Sequence, residues 1–226
     1  MNTAVSFPAP SGGEYAAGDE ITRKSFAIIR ERLAALRPAL TLSPEEEPLI
    51  VRVAHTTGDV EFATTLVFSE GAVEAGTRAL RDGKSIVTDV GMVRQGIRTR
   101  LLPGGASRCV CLLDDPETAK LAAKEGITRS AAAVRRSVGL LNEAVVAVGN
   151  APTALFELLS LVRSGRAAPA LIIGVPVGFV GALESKLELS RSGLAYITNL
   201  SERGGSPIAA ALANGLIARA FGKGES

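Results

Sequence analysis

The sequence predicts a three-layer α/β fold, in which a parallel sheet of five strands carries helices on both faces. Five short runs of Val, Ile, Leu and Ala recur along the chain, and helical patterns separate them. These runs are almost continuously apolar, which is typical of strands that are covered on both faces. Strands that are joined through helices form parallel sheets with right-handed crossovers. We expect one domain over residues 20–226 and a flexible tail over residues 1–19, where Ala, Gly, Ser and Pro dominate.

Two helices are predicted at the start of the domain. Apolar residues at helical spacing begin near Ile21, and this helix should end before Pro38, because a proline disfavours helical geometry in the residue before it. Ser43, Pro44 and the two acids that follow are typical of a helix start. They supply a capping hydroxyl, a first-turn proline and negative charge at the positive end of the helix dipole. This second helix is predicted to end near His55.

From residue 72 onward, helical and strand patterns alternate. The predicted strands are 85–90, 108–113, 144–148, 170–175 and 194–199. The predicted helices are 72–80, 116–124, 128–141, 152–162, 182–190 and 207–221. In a parallel sheet of this kind, ligands bind beyond the carboxyl ends of the strands, so the segments that follow the strands are the first place to look for a site.

The charge balance argues against a general nucleic-acid-binding protein. Lys and Arg number 25, Asp and Glu number 23, and the net charge is +2, whereas such proteins usually carry a strong basic excess. No apolar stretch is long enough to span a bilayer and no signal-peptide pattern is present, so we expect a cytoplasmic protein. Cys109 and Cys111 would face the same side of one strand and would not pair easily, so we expect buried, reduced thiols.

Segments that contain glycine follow four of the five predicted strands. They are 89–93, 149–153, 174–181 and 203–207. Glycine lets the backbone approach a ligand closely, and the last three segments each lead into a helix, whose N-terminal N–H groups attract anions. We therefore expect a ligand with several carboxylates or phosphates, with purely structural turns as the alternative. None of the segments matches the dinucleotide fingerprint or the Walker P-loop, which disfavours a nicotinamide cofactor or ATP.

His55 is the candidate acid–base group, with a structural role as the alternative. It is the only histidine in the chain, and histidine is the side chain that gains or loses a proton near neutral pH. No second histidine or suitably placed cysteine accompanies it, so no metal site is predicted, and no G-x-S-x-G turn supports serine-hydrolase chemistry. The candidate cations are Arg23, Lys24, Arg129 and Lys186. For Arg129 and Lys186, a solvated surface position is the alternative.

Motifs spread along residues 21–220 resemble the precorrin-8X methylmutase family in their order and spacing. They are Ser25-Phe26, His55, Phe68-Ser69-Glu70-Gly71-Ala72, Asp89 with Met92-Val93, Thr128-Arg129-Ser130, 149–155, 174–181, Glu184-Ser185-Lys186 and Arg203-Gly204-Gly205-Ser206. Each motif alone is weakly specific, whereas their shared order is highly specific.

The resemblance implies an isomerase of cobalamin biosynthesis with a flavodoxin-like fold and a homodimeric assembly. Members of this family move a methyl group from C-11 to C-12 of precorrin-8X to give hydrogenobyrinate, or of cobalt-precorrin-8 to give cobyrinate, and need no cofactor. The family's catalytic histidine falls on His55, and two of its ligand-contacting residues fall on Ser25 and Arg129. Further substrate contacts are expected at Arg23, Asp89, Met92, Asn150, Gly178 and Lys186. The alternatives are a non-catalytic tetrapyrrole carrier and a Rossmann-like nucleotide-binding enzyme.

Overall fold

A six-stranded mixed sheet forms the centre of the computed structural model, which describes residues 18–36 and 43–222. The strands are β1 (Leu66–Phe68), β2 (Ile86–Thr88), β3 (Cys109–Val110), β4 (Val145–Val148), β5 (Leu171–Gly174) and β6 (Tyr196–Asn199). The helices are α1 (Gly18–Leu36), α2 (Glu47–Thr57), α3 (Val60–Ala63), α4 (Ala72–Arg81), α5 (Gly91–Gly96), α6 (Pro116–Glu125), α7 (Arg129–Arg136), α8 (Val138–Leu141), α9 (Pro152–Arg163), α10 (Ala182–Ser190) and α11 (Ser206–Phe221). Two short 3₁₀ turns, Thr99–Leu101 and Gly105–Arg108, precede β3.

The prediction of five parallel strands was wrong in one respect, because the sheet has a sixth strand. The spatial order is β1-β6-β5-β4-β2-β3, with β1 antiparallel to β6 and all other neighbours parallel. β1 has three residues, of which only the first is buried. Such a short segment shows no strand pattern of its own, so its state depends on pairing with β6, which lies far along the chain.

Helices cover both faces of the sheet, as predicted. Val145 and Ala147 of β4 point into one core, whereas Val146 and Val148 point into the other, and none of the four is more than 1% exposed. The first core includes side chains from α2, α4 and α11, and the second includes side chains from α7, α9 and α10. Burial on both sides explains why the strands lack an alternating polar face.

The position of α2 is set by close packing on α11. A Cβ at Gly215 of α11 would lie 3.0 Å from Cγ of Leu49 on α2, so only glycine allows this approach without displacement. Leu49 and Ile50 are buried in the first core. The last turn of α2 contains His55, which is therefore carried on a helix that packs closely against α11.

Most predicted helix boundaries lie within three residues of the observed ones, two predicted helices differ more, and α3 and α5 were not predicted. α2 begins at Glu47 rather than at Ser43, whose hydroxyl accepts a hydrogen bond from the N–H of Glu46 in the preceding turn. The helix predicted over 128–141 is divided at Ser137, whose hydroxyl donates to the carbonyl of Ala133 (2.8 Å). Such back-bonding often bends a helix.

Part of the sequence prediction falls outside the described residues. Most of the predicted tail does so, and its last two residues, Gly18 and Asp19, are the start of α1. The division of the chain into a tail and one domain stays a prediction. In the described part of the chain, none of the helices is both long and apolar enough to cross a bilayer.

Candidate functional site

The carboxyl ends of the parallel strands β2, β4, β5 and β6 lie along one edge of the sheet. The segments predicted to bind a ligand extend from this edge. Four large apolar side chains on them are exposed: Met92 by 69%, Val177 by 44%, Phe179 by 94% and Val180 by 89%. Exposed apolar groups of this size are typical of surfaces that receive an apolar ligand or partner.

Asp89 fastens the segment after β2 to the segment after β4. Its side chain is buried, and its carboxylate accepts hydrogen bonds from the N–H groups of Gly149 (3.0 Å), Asn150 (2.8 Å) and Ala151 (2.8 Å). Burial raises the pKa of Asp89 above its usual value, and the N–H donors oppose this rise. These three N–H groups, which precede the first turn of α9, are therefore bound by a carboxylate of the chain itself.

His55 meets Ser25 of α1 at the end of α2. The Ser25 hydroxyl and Nδ1 of His55 are 2.8 Å apart. The ring of Phe26 packs edge-on against the imidazole, with 5.4 Å between the ring centroids and 82° between the planes. His55 is nevertheless exposed, so one edge of its ring is held while the remainder is accessible.

A cavity of about 400 Å³ lies beside this pair, between α1, the end of α2 and the start of α3. Its lining is Ile21, Lys24, Ser25, Ile28, Ile29, Arg32, Ala54, His55, Gly58 and Val60. Among the described residues, the lining contains one lysine and one arginine, Lys24 and Arg32, and no carboxylate. Lys24 pairs with Glu20 at 2.7 Å, whereas Arg32 forms no ion pair with any described residue. The cavity is therefore apolar with a positive rim.

Arg23 does not line this cavity. Successive residues of a helix rotate by about 100°, so residues two apart point to nearly opposite sides. Arg23 therefore faces away from Ser25, whereas Arg32 is seven residues from Ser25 and shares its face. The structure places Arg32, and not Arg23, beside His55.

An ion pair ties the end of α2 to the loop after β6. Nη2 of Arg203 lies 2.5 Å from Oδ2 of Asp59, and the Arg203 guanidinium lies 4.3 Å above the Phe62 ring. The Phe62 N–H and the Arg203 side chain hold the pKa of Asp59 below its usual value. Asp59 is four residues after His55. The histidine is thus connected to the carboxyl edge of the sheet.

Lys186 is buried inside the same edge. It was predicted to contact the substrate, but its side chain is 0% exposed. Its Nζ donates to the carbonyl of Arg203 (2.7 Å) and to Oδ1 of Asn199 (3.3 Å). Burial lowers the pKa of Lys186 to about 8, and the charge of Glu202 opposes this fall. Its charge therefore faces the loop after β6 rather than the solvent.

Arg129 and Asn150 are both exposed near strand ends. Arg129 is the first residue of α7, where its guanidinium donates to the carbonyl of Leu113 (3.3 Å) and lies 3.7 Å from the Asp114 carboxylate. Asn150 follows β4 and keeps its side chain accessible. These positions are compatible with a bound anionic ligand, and both contacts stay predictions.

The structure brings the predicted residues together in three local groups. In the first group, Ser25 contacts His55 directly. In the second, Asp89 binds the backbone N–H of Asn150. In the third, Gly178 donates to the carbonyl of Glu202 (3.0 Å), next to Arg203, whose carbonyl binds Lys186. Sequence reasoning missed Arg32 and the link between Arg203 and Asp59. The seven-residue spacing from Ser25 was the signal for Arg32, whereas nothing local predicted the ion pair.

A second cavity of about 620 Å³ lies between α9 and α10. Its lining includes Arg163 and Glu188, which form an ion pair with each other. It contains none of the predicted site residues, so the site is assigned to the smaller cavity beside His55.

Comparisons with known proteins agree with these features. The family model described as precorrin-8X methylmutase (CbiC) matches residues 20–219. The precorrin-8X methylmutase of Pseudomonas aeruginosa is 45% identical over 202 residues, covering 88% of this chain and 94% of the relative. The cobalt-precorrin-8 methylmutase of Methanocaldococcus jannaschii is 39% identical over 205 residues, covering 90% and 94%. A crystal structure of precorrin-8X methylmutase from Thermus thermophilus superimposes with a TM-score of 0.79 at 36% identity, covering 88% of this chain and 96% of that one. The chain therefore belongs to the precorrin-8X methylmutase family, whose members are isomerases.

Proposed function

We propose that this protein moves a methyl group from C-11 to C-12 of precorrin-8X, or of its cobalt-containing counterpart, with His55 as the proton donor. The observation that carries the proposal is the His55–Ser25 pair, accessible and 2.8 Å apart, beside a cavity with a positive rim, in a chain of this family. A migrating methyl group has no charge that an enzyme can bind. Catalysis must therefore act on the conjugated ring.

Ser25 sets the tautomer of His55 in this proposal. When the Ser25 hydroxyl donates to Nδ1, the ring proton resides on Nε2, which is then available to a ring nitrogen of the substrate. Protonation or hydrogen bonding at a nitrogen near C-11 redistributes electrons in the macrocycle and eases the migration. General acid catalysis of this kind is typically worth about 10²–10⁴-fold in rate.

The rim of the cavity binds substrate carboxylates in this proposal. The substrate carries several acetate and propionate groups, and Lys24 and Arg32 are the cations of the lining. An arginine fork binds a carboxylate through two parallel hydrogen bonds. A cavity of about 400 Å³ is smaller than a whole tetrapyrrole. The remaining ring face is expected to lie on the exposed apolar side chains of Met92, Phe179 and Val180.

The topology supports the assignment of this edge. Numbered along the chain, the parallel strands have the order 2-1-3-4-5 when read from β3 to β6, which is the flavodoxin-like order. In such sheets the ligand binds where the strand order reverses, here between β2 and β4. Asp89 and Asn150 follow these two strands. The proposal therefore includes a flavodoxin-like fold. It also includes a homodimeric assembly, which sedimentation equilibrium would test by measuring the molar mass of the protein in solution.

Turnover of precorrin-8X tests the proposal directly. The wild-type protein is incubated with metal-free and cobalt-containing precorrin-8 in parallel, and the absorption spectrum is followed, because isomerisation changes the conjugation. We expect His55→Ala to lower the rate by about 10²–10⁴-fold while binding of the macrocycle, measured by equilibrium dialysis, persists.

Thr56→Ala is the matched control. Thr56 lies next to His55, but its hydroxyl donates to the carbonyl of Arg52 in its own helix, so we expect its turnover to equal that of the wild type. Near-normal turnover in His55→Ala would remove His55 from the proton-donor role. Tight binding by the wild-type protein without any spectral change would favour the tetrapyrrole carrier instead.

A further inference from the structure

We infer that Lys186 is a positioning residue, whose buried ammonium group fixes the loop after β6 and thereby aligns the two sides of the site. The inference rests on the proposed function and assigns Lys186 no contact with the substrate. The loop in question is 200–205, between β6 and α11.

The first step is the grip of Lys186 on this loop. Its Nζ lies 2.7 Å from the carbonyl oxygen of Arg203, and Nδ2 of Asn199 donates to the same oxygen at 2.9 Å. Asn199 also donates to the hydroxyl of Ser201 (2.9 Å). Lys186 and Asn199 are both 0% exposed. Two buried donors on one carbonyl restrict the loop, because both bonds must break before the carbonyl of Arg203 is released.

The second step runs from the loop to the glycine segment after β5. The carbonyl of Glu202 accepts from the N–H of Gly178 (3.0 Å), and the N–H of Gly205 donates to the carbonyl of Val175 (2.9 Å). Between them, a Cβ at Gly204 would lie 2.3 Å from the Val175 oxygen. The two loops are thus in backbone contact, so the segment that carries Phe179 moves with the loop that Lys186 holds.

The third step runs from the loop to the histidine. The side chain of Arg203 pairs with Asp59 and lies over Phe62. Asp59 also caps α3 by accepting from the Phe62 N–H (2.7 Å). It follows Gly58, which lines the cavity beside His55. One residue, Arg203, therefore bonds Lys186 through its carbonyl and the histidine-bearing segment through its guanidinium.

The choice of lysine at this position is costly for stability. Moving an ammonium group out of water is unfavourable, and burial lowers its pKa accordingly. Methionine has a similar volume and no charge to remove from water, and in Lys186→Met the carbonyl of Arg203 would still accept from Nδ2 of Asn199. A role in stability alone would therefore favour methionine, whereas a role in alignment requires the donor.

The test compares Lys186→Met with the wild-type protein. We expect kcat for precorrin-8X to fall by about 10- to 100-fold, KM to change less, and Tm to stay the same or rise. Amide exchange at Gly178 and Gly205 should become faster, which is measured without substrate. Glu184→Gln, an exposed position on the same helix, is the matched control and should leave all four quantities unchanged.

A double-mutant cycle with Asp59→Asn tests the path of the effect. Asparagine still caps α3 but lacks the charge that pairs with Arg203. If Lys186 acts through Arg203, the losses in kcat from the two substitutions are less than multiplicative. The inference would be overturned by any of three results. These are multiplicative losses in kcat, unchanged kcat and amide exchange in Lys186→Met, or a fall in Tm large enough to account for the lost activity.

Failure of the proposed function and failure of the Lys186→Met variant to fold can each be distinguished from failure of the inference. If the wild-type protein does not convert precorrin-8X, the proposed function fails, while amide exchange still decides whether Lys186 holds the loop. If Lys186→Met does not fold, the single variant Asp59→Asn takes its place, and unchanged kcat in that variant would contradict the path from the loop to His55.

Discussion

The Ser25 hydroxyl and the His55 imidazole come from different helices and lie 2.8 Å apart. Because this bond selects the nitrogen that carries the proton, we expect Ser25→Ala to lower kcat for precorrin-8X by about 10-fold, which corresponds to about 1.4 kcal/mol. The effect should be smaller than that of His55→Ala, since the Phe26 ring still packs against the imidazole. Ser25→Thr keeps a hydroxyl and should recover most of the rate. Equal rates for the alanine and threonine variants would exclude this role of the hydroxyl.

Arg32 and Arg23 offer a comparison on opposite sides of one helix. Arg32 lines the cavity beside His55, whereas Arg23 does not. We expect Arg32→Ala to raise KM for precorrin-8X by about 10- to 150-fold, because a hydrogen bond to a charged group is typically worth about 1.5–3 kcal/mol, with little change in kcat. Arg23→Ala should have a smaller effect on KM. If Arg23→Ala raised KM more than Arg32→Ala did, Arg23 rather than Arg32 would be the residue that binds the substrate carboxylate, as the sequence indicated.

At the scale of single residues, the sequence indicated which side chains are chemically important better than it indicated whether they are buried and what they contact. His55 could be singled out because the chain has no other histidine. Lys186 and Asp89 were predicted to meet the substrate, but both side chains are buried and bond the chain's own loops. Their partners are distant in sequence, at Arg203 and at 149–151. Burial of a charged side chain depends on such partners, and no local pattern contains them.

At the scale of elements, we expect the hydrogen bonds between Asp89 and the segment 149–151 to contribute measurably to the free energy of unfolding. In Asp89→Asn, the amide nitrogen cannot accept from a backbone N–H, so one or more donors at 149–151 lose their partner. An unsatisfied buried donor costs about 1–3 kcal/mol, and we expect the free energy of unfolding in urea to fall by about that amount. Asp82→Asn, at an exposed helix end, is the control. Equal stability of the two variants would show that water replaces the carboxylate.

The elements that the sequence predicted are those that it marks locally. Strands β4 and β5 are continuous apolar runs, and the helix starts at Asp115 and Thr128 are true caps, whose side chains accept from the N–H groups of Glu117 and Ala131. β1 was missed because three residues carry no period, and its pairing partner β6 is remote. α3 was not predicted because its four residues make barely more than one turn, which is too short to show a helical period.

For the whole molecule, the sheet separates two apolar cores and leaves one edge for chemistry. The first core holds α2 and the second holds α10. The loop after β6 joins these layers at the edge, because Lys186 of α10 reaches it from one side and Asp59 reaches it from the other. Site geometry and overall stability are therefore coupled through one buried ammonium group.

This coupling predicts how the stability of the protein depends on pH. Burial lowers the pKa of Lys186 from its ordinary 10.5 to about 8, whereas the unfolded chain keeps the ordinary value. Between these two values the unfolded state binds more protons than the folded state, so the free energy of unfolding should rise with pH. The slope is at most about 1.4 kcal/mol per pH unit. Below pH 8 this contribution is constant, because the lysine is protonated in both states.

The measurement is the difference in unfolding free energy between the wild-type protein and Lys186→Met from pH 7 to pH 10.5. The difference is needed because burial also raises the pKa of Cys109 to about 11. That thiol lowers stability as pH rises above the ordinary value of 9, but it is present in both proteins and cancels. We expect Lys186→Met to be at least as stable as the wild-type protein at pH 7, and the wild-type protein to gain stability relative to it from pH 8 upward. A difference that stays flat across this range would mean that Lys186 keeps its ordinary pKa, and that the ammonium group is better solvated than its burial indicates.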